Sequence, residues 1–362
     1  MAEKGRVLSI DAARGFDMFW IIGGGELLTR LAAVIRPEAG VFFETQLKHV
    51  PWAGFHFIDL VMPLFIFLAG CSLPFSIDSR IKKGDSTAKI YWHTVLRLLI
   101  LWVFGMMLQG RLLEYNWERL VFYSNTLQSI AAGTFFSTIF RLHFNTKGQI
   151  GLTAACVALF SLLIHFAPVP GFGSGVLTPE GNFAHFVDTL ALRTLDAPSY
   201  TWVLSTLGFV ATAMLGTFAG DIIRSGLSQT RVAAALFAAG AALTAAGWAG
   251  SCFIPIIKPI WNETFVLYSG GLSFLCLAVF YTLIDVLGWR RWSLFFVVIG
   301  MNAIFIYMAT HLFNFGWFSD RFVQGLKPHA GTFYPLISAA AKFAAGYGLL
   351  VWLYRRKIFF KI

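Results

Sequence analysis

Charged residues are scarce in this sequence: Asp, Glu, Lys and Arg make up 13% of its 362 residues, about half the share usual in soluble domains. So little charge cannot solvate the surface of an ordinary water-soluble globule, and that class is excluded. Cysteine is scarce too. The four, Cys71, Cys156, Cys252 and Cys276, lie far apart inside apolar segments with no C-x-x-C pair, which argues against a disulfide framework or a thiolate metal site and for packing roles; no metal is expected. There is no low-complexity tract and no tandem repeat of about 20 to 50 residues, so a solenoid is excluded as well. The signatures of soluble enzymes are missing, GxSxG and HExxH among them. GGG at 23 to 25 has no strand before it, so it is neither a P-loop nor a dinucleotide fingerprint; close helix packing or a local break in a helix explains it better.

What the chain has is apolar surface: 57% of residues are hydrophobic and 17% aromatic. Apolar stretches of about 20 residues, the length that crosses a hydrocarbon core of about 30 Å, recur at 16–35, 55–77, 90–109, 120–140, 149–167, 201–220, 232–252, 264–286, 293–313 and 334–353. They predict an all-α polytopic membrane protein, about ten transmembrane helices in one bundle. No run remains for a soluble domain, so 1–362 reads as a single domain. The opening MAEKGRVLSIDAARGFDMFW does not read as a cleavable signal, because Asp11, Arg14 and Asp17 interrupt the apolar region one needs. The one long connection, 168–200, contains PVPGFGSGVLTPEG, whose glycines and prolines predict irregular backbone.

The net charge of +10 would suggest nucleic acid in a soluble protein, but its placement follows a membrane rule instead. With the amino terminus in the cytoplasm, the cytoplasmic segments hold sixteen Lys and Arg residues, among them Lys4, Arg6, Arg80, Lys82, Lys83 and Lys361. The opposite side holds nine, including Arg193, over a greater loop length. The positive-inside rule therefore places both termini in the cytoplasm, and membrane lipids, not nucleic acid, are the expected surroundings.

An ionisable residue inside a span is expensive and marks a functional site by default. Asp11, Arg14 and Asp17 stand at the start of the first span, with Glu26 deeper in it. Asp59 begins the second, Arg97 lies inside the third, and His311 is near the outer end of the ninth. Asp11 and Arg14, three apart, would share a helix face and neutralise each other; alternatively Arg14, Arg97 and basic loop residues such as Arg80 receive the phosphates of an anionic cofactor, since guanidinium binds phosphate bidentately. The stretch HVPWAGFHFIDLVMPLFIFLAG at 49–70 sets His49 ten residues before Asp59. A carboxylate beside an imidazole fixes its tautomer for acid/base work. An interfacial histidine, a helix-capping aspartate and, for Trp52, a place in the interfacial aromatic belt are the structural alternatives.

Four passages resemble the heparan-α-glucosaminide N-acetyltransferases and their bacterial relatives. RVLSIDAARG at 6–15 is similar to that family's opening motif, and the passage from His49 matches its His-x-x-Trp-x-Gly and Asp-Leu-Val-x-Pro pattern without a gap. TLQSIA at 126–131 resembles its Leu-Gln-Arg-Ile-Ala segment. KPIWNETFVLYSGG with GMNAIFIYMATHLF at 300–313 resembles its late Trp and Gly-Met-Asn passages. The region 141–250 carries no recognisable motif.

This resemblance implies a transmembrane acyltransferase domain over 1–362 that moves an acetyl group from cytoplasmic acetyl-CoA, as co-substrate, to an amino-sugar or glycan acceptor across the membrane. His49 takes the position of the family's catalytic histidine, as general base or acyl carrier, with Asp59 beside it. Trp52, Glu26 and His311 would meet the acceptor, and Arg14, Arg97 and Asn302 the donor. A bacterial inner membrane is the expected location, and a homodimer is compatible with it. Two departures stand out: Gly25 falls where family members carry Asn, and Ser129 replaces the Arg of Leu-Gln-Arg-Ile-Ala. A permease for an amino sugar or similar solute is the competing reading, since polytopic bundles with intramembrane charge are also transporters. Transfer to a lipid or envelope glycan is a third.

Overall fold

The computed structural model describes residues 7–192 and 200–360. Lys4, Arg6, Arg193 and Lys361, counted in the charge asymmetry, and the first residue of the RVLSIDAARG motif lie outside the described residues. The protein is an all-α polytopic membrane protein, with no strand among the described residues. Among the described residues, eight helices are long and apolar enough to cross a membrane, and a ninth span forms if the bent pair Ser293–Gly300 and Ala303–Leu312, which meet at 70°, counts as one.

All ten predicted stretches contain helix. The difference in span count falls at the fourth, where Thr126–His143 forms but is not among the membrane-length apolar helices. Its sequence spends several positions on Gln128, Ser129, Thr134, Ser137 and Thr138, all buried, so this face packs against protein and lowers the helix's mean hydropathy. In the 168–200 connection the PVPGFGSGVLTPEG stretch is irregular as expected, and after it Phe183–Leu192 is a short apolar helix.

Internal contacts divide the chain into two compact units. The first comprises Met1–His49, His56–Val61 and Val279–Ile362; the second comprises Val50–Phe55 and Met62–Ala278.

In the first unit, Leu8–Phe19 packs on Ser293–Gly300 through glycine. A Cβ on Gly15 would lie 1.7 Å from the Phe296 carbonyl oxygen, and one on Gly300 would lie 2.0 Å from that of Asp11. Small residues of this kind let helices approach closely where lipid removes the hydrophobic drive between them. Aromatic rings fill the space beside this contact, with Phe16 against Phe280 and Phe296, and Phe19 against Phe343. The GGG stretch is the local break anticipated from sequence: Trp20–Gly24 forms a single π-helical turn, and Gly23 takes φ 108°, a conformation closed to side-chain-bearing residues.

The second unit uses the same device. A Cβ on Gly70 would lie 1.9 Å from the Ala213 carbonyl oxygen, and one on Gly216 would lie 1.9 Å from that of Phe67, which brings Val61–Cys71 and Thr206–Arg224 together. At one end of this unit Arg141 bridges Asp78 and Asp221 at 3.4 and 2.9 Å, and Arg224 reaches Asp78 and the Pro74 carbonyl. Three helix ends are locked by four alternating charges. Helix starts are set by polar caps. Asn125 accepts from the Leu127 N–H while Gln128 accepts from the Asn125 N–H, a reciprocal capping box; Asn262 accepts from the Phe265 N–H before Glu263–Tyr281.

Candidate functional site

The passage from His49 to Asp59 lies where the chain leaves Pro37–Gln46 and enters the second span. Asp59 sits in the single 3-10 turn Phe57–Leu60, and its carboxylate is divided between two donors. His49 Nδ1 lies 2.7 Å from Oδ1, and the His56 backbone N–H donates to Oδ2 at 2.9 Å. The His49 side chain is 52% exposed and that of Asp59 only 2%, so a buried acceptor aims an accessible ring. Because the carboxylate only accepts, Nδ1 carries the proton of a neutral His49 and the lone pair lies on Nε2. That is the arrangement of a general base with its orienting carboxylate.

Two further bonds hold the passage in place. His56 donates from Nδ1 to the Lys48 carbonyl at 2.7 Å, and Gln46 Oε1 accepts from the Phe57 N–H at 3.1 Å. Beside them Lys48 bonds Glu44 at 2.7 Å and holds that carboxyl below its ordinary range. Asp59 thus both caps the turn through the His56 N–H and contacts His49. His56 and Gln46 were not assigned roles from sequence, although His56 stands in the same passage.

The break in the first span adjoins this passage. Trp20 packs edge-on against Phe57 with centroids 4.6 Å apart, and a Cβ on Gly25 would touch Leu47 at 3.2 Å. The π turn also forms a wall of a cavity of about 350 Å³, lined by Ile21, Ile22, Thr310–Phe315 and Lys342. His311 therefore lines a cavity in the first unit. Glu26, paired with Lys342 at 2.9 Å, lies next to it. Lys342, separated from Glu26 by 316 residues, carried no motif to mark it.

The remaining expected positions are placed as follows. Trp52 belongs to the second unit, where its indole N–H donates to the Leu177 carbonyl at 2.7 Å. Arg14 contacts Asp11 at 3.3 Å, the i, i+3 pair suggested by spacing. Arg97 is half-buried within Thr87–Leu108 of the second unit. Asn302 is buried and commits both ends of its amide to backbone, donating to Ile358 O and accepting from Phe360 N–H, each at 3.0 Å. As placed, it ties down the segment after Tyr334–Arg355.

The second unit holds further polar contacts, one group of them on Glu263 of the KPIWNETFVLYSGG passage. Glu263 accepts from Ser161 at 3.0 Å and pairs with His165 Nε2 at 2.8 Å. Asp188 is buried and accepts from the Trp202 and Val203 N–H groups at 2.7 and 2.9 Å, yet burial pushes its carboxyl up to about 6. Among the described residues no three His, Cys, Asp or Glu side chains gather as a metal-ligand group.

The geometry around His49 can be set beside known proteins. The heparan-alpha-glucosaminide N-acetyltransferase of Mus musculus is 27% identical over 379 residues, covering 87% of this chain and 56% of that protein. That of Homo sapiens is 25% identical over 425 residues, covering 99% and 60%. The chain is similar to the heparan-α-glucosaminide N-acetyltransferases along most of its length. The resemblance first read from motifs therefore also takes in 141–250, where no motif is legible. The chain spans less than two thirds of the length of these curated N-acetyltransferases, and no family model matches it.

Proposed function

We propose that this chain is a transmembrane acetyltransferase that carries an acetyl group from cytoplasmic acetyl-CoA to the amine of an amino-sugar or glycan acceptor on the far side of the membrane. The observation that carries the reading is the half-exposed His49 ring held at 2.7 Å by a buried Asp59 carboxylate. It occurs in the passage that most resembles the N-acetyltransferase pattern. In the reaction the acceptor nitrogen attacks the thioester carbonyl while His49 Nε2 takes a proton from that nitrogen; the C–S bond then breaks and CoA leaves as the thiol. On the alternative route Nε2 attacks the thioester first, the C–S bond breaks and CoA leaves as thiolate; the amine then attacks the acyl-imidazole, the N–acyl bond to the ring breaks, and the proton lost by the amine goes to the thiolate. Asp59 stabilises the imidazolium formed on either route.

Trp52, Glu26 and His311 are proposed to meet the acceptor, and Arg14, Arg97 and Asn302 the donor. The whole chain acts as one catalytic domain in this reading, with both termini cytoplasmic in a bacterial inner membrane and a homodimer compatible with it. Support for the orientation is the sixteen-to-nine asymmetry of cations. The test of function is thiol release: purified protein given acetyl-CoA should liberate free CoA only when an amine acceptor is added.

One observation favours the permease reading. The pair Ser293–Gly300 and Ala303–Leu312, bent by 70°, is a discontinuous helix of the kind on which transporters build substrate sites. Solute flux in vesicles with no thiol produced would establish that function in place of transfer.

A further inference from the structure

The cavity beside the first-span break has a rim rich in hydrogen-bond acceptors. His311 donates Nδ1–H to the Tyr307 carbonyl at 2.8 Å, so the lone pair of the neutral ring lies on Nε2. Thr310 donates its hydroxyl to the same carbonyl at 3.0 Å, so its oxygen is left to accept from other groups. Both donor hydrogens are thus turned back onto their own helix. Phe313 and Phe315, in edge-to-face contact at 5.0 Å, give the cavity an apolar wall.

Lys342 enters from Tyr334–Arg355 along the cavity, passing Gly316 and Gly23, and its ammonium ends on Glu26 at 2.9 Å. The Lys342 and Glu26 side chains are 40% and 44% exposed. A pair this accessible is weak and can exchange with a competing cation, and the long stem of lysine lets its ammonium withdraw. A ligand that satisfies every one of these groups has hydroxyl donors for His311 and Thr310, an apolar ring face for the two phenylalanines, and a cation for Glu26. Those are the properties of an amine-bearing sugar.

We propose that Lys342 is the specificity gate of the acceptor site: its ammonium occupies Glu26 in the unliganded chain, and the protonated amine of an amino sugar displaces it. This inference rests on the acetyltransferase reading and adds a means of telling acceptor from product. Acetylation forms the C–N bond, breaks the C–S bond of the thioester, yields CoA thiol and releases one proton, so the ammonium becomes a neutral amide. The amide has no charge to set against Lys342, which returns to Glu26 as the product leaves.

The test is equilibrium binding of D-glucosamine and N-acetyl-D-glucosamine to the full chain in nanodiscs, without acetyl-CoA. Wild-type protein should prefer glucosamine. Lys342→Met should tighten glucosamine by about two- to fivefold, the scale of an exposed ion pair, and leave N-acetylglucosamine unchanged; Glu26→Gln should abolish the preference. Lys342→Gln, with thermal melting of each variant, guards against a folding artefact. An equal change for both sugars in the Lys342 variants, a preference that survives Glu26→Gln, or no glucosamine binding to wild-type protein at millimolar concentration would overturn the gate. Thiol release with a different amine acceptor would in that case leave the transferase reading standing. Conversely, the expected binding pattern without thiol release from any acceptor would retain the amine site and remove the transferase.

Discussion

Replacing Asp59 with asparagine tests the partnership with His49 at nearly constant volume. The aspartate accepts from two donors, His49 Nδ1 and the His56 N–H, and an asparagine has only one oxygen to offer. If that oxygen faces His56, the amide N–H₂ faces His49 and forces the neutral ring to accept at Nδ1, which moves its proton to Nε2 and leaves no lone pair there. If the oxygen faces His49 instead, two N–H donors meet at His56 in a buried position, costing about 1 to 3 kcal/mol of stability. In either orientation the imidazolium loses a hydrogen bond to a charged partner, worth about 1.5 to 3 kcal/mol. If that loss falls on the transition state, the chemical step slows about 10- to 150-fold. The assay is single-turnover acetyl transfer at saturating acetyl-CoA, with melting and donor affinity measured on the same preparation. A rate within threefold of wild type, in a protein that melts and binds donor normally, would leave Asp59 as a capping residue alone.

Four further outcomes are expected. Asp188 has its folded carboxyl raised to about 6 from an ordinary 3.8, so the folded chain holds this proton more tightly than the unfolded one. Stability should therefore fall as pH rises from about 4 to 6, by at most about 3 kcal/mol, and then level off; Asp188→Asn should flatten the melting temperature over that window. Gly15→Ala puts a Cβ at 1.7 Å from the Phe296 carbonyl oxygen and should destabilise by about 1 to 3 kcal/mol or more in denaturation assays, since this contact is with backbone and cannot yield by a rotamer change. Arg97→Ala, if Arg97 holds a donor phosphate, should weaken acetyl-CoA binding roughly 10- to 150-fold, whereas unchanged affinity in the folded variant would remove it from the donor site. A cysteine placed at Lys82 should resist an impermeant thiol reagent in intact cells; its modification would reverse the orientation.

Much of the helix layout was legible because apolar run length is a one-dimensional property. Helix appeared in every predicted stretch, and the GGG break could be read from glycine chemistry. Where the expectation of ten spans exceeded the eight or nine membrane-length ones among the described residues, the reason lies in Thr126–His143: a helix face packed on protein tolerates buried Gln128, Ser129 and Thr134, and composition alone does not tell which face is covered. His49 and Asp59 were legible as a pair because ten residues of chain connect them. Lys342 and Glu26 were not, since the fold joins them across 316 residues. The buried Asp188 gave no signal either, because its partners are backbone N–H groups of Trp202 and Val203, which exist at almost any position in a sequence. Asn302 was marked by a motif, but its bonds to the Ile358 and Phe360 backbone, 56 and 58 residues away along the chain, are contacts that no motif shows.

Single-turnover transfer by His49→Ala reads whether His49 performs the chemistry. With donor saturating and binding of acetyl-CoA retained, the rate should fall by about 100-fold or more, the usual scale for lost proton-transfer catalysis. A rate within a few-fold of wild type would contradict both the general-base and the acyl-carrier roles and put the permease reading on equal footing.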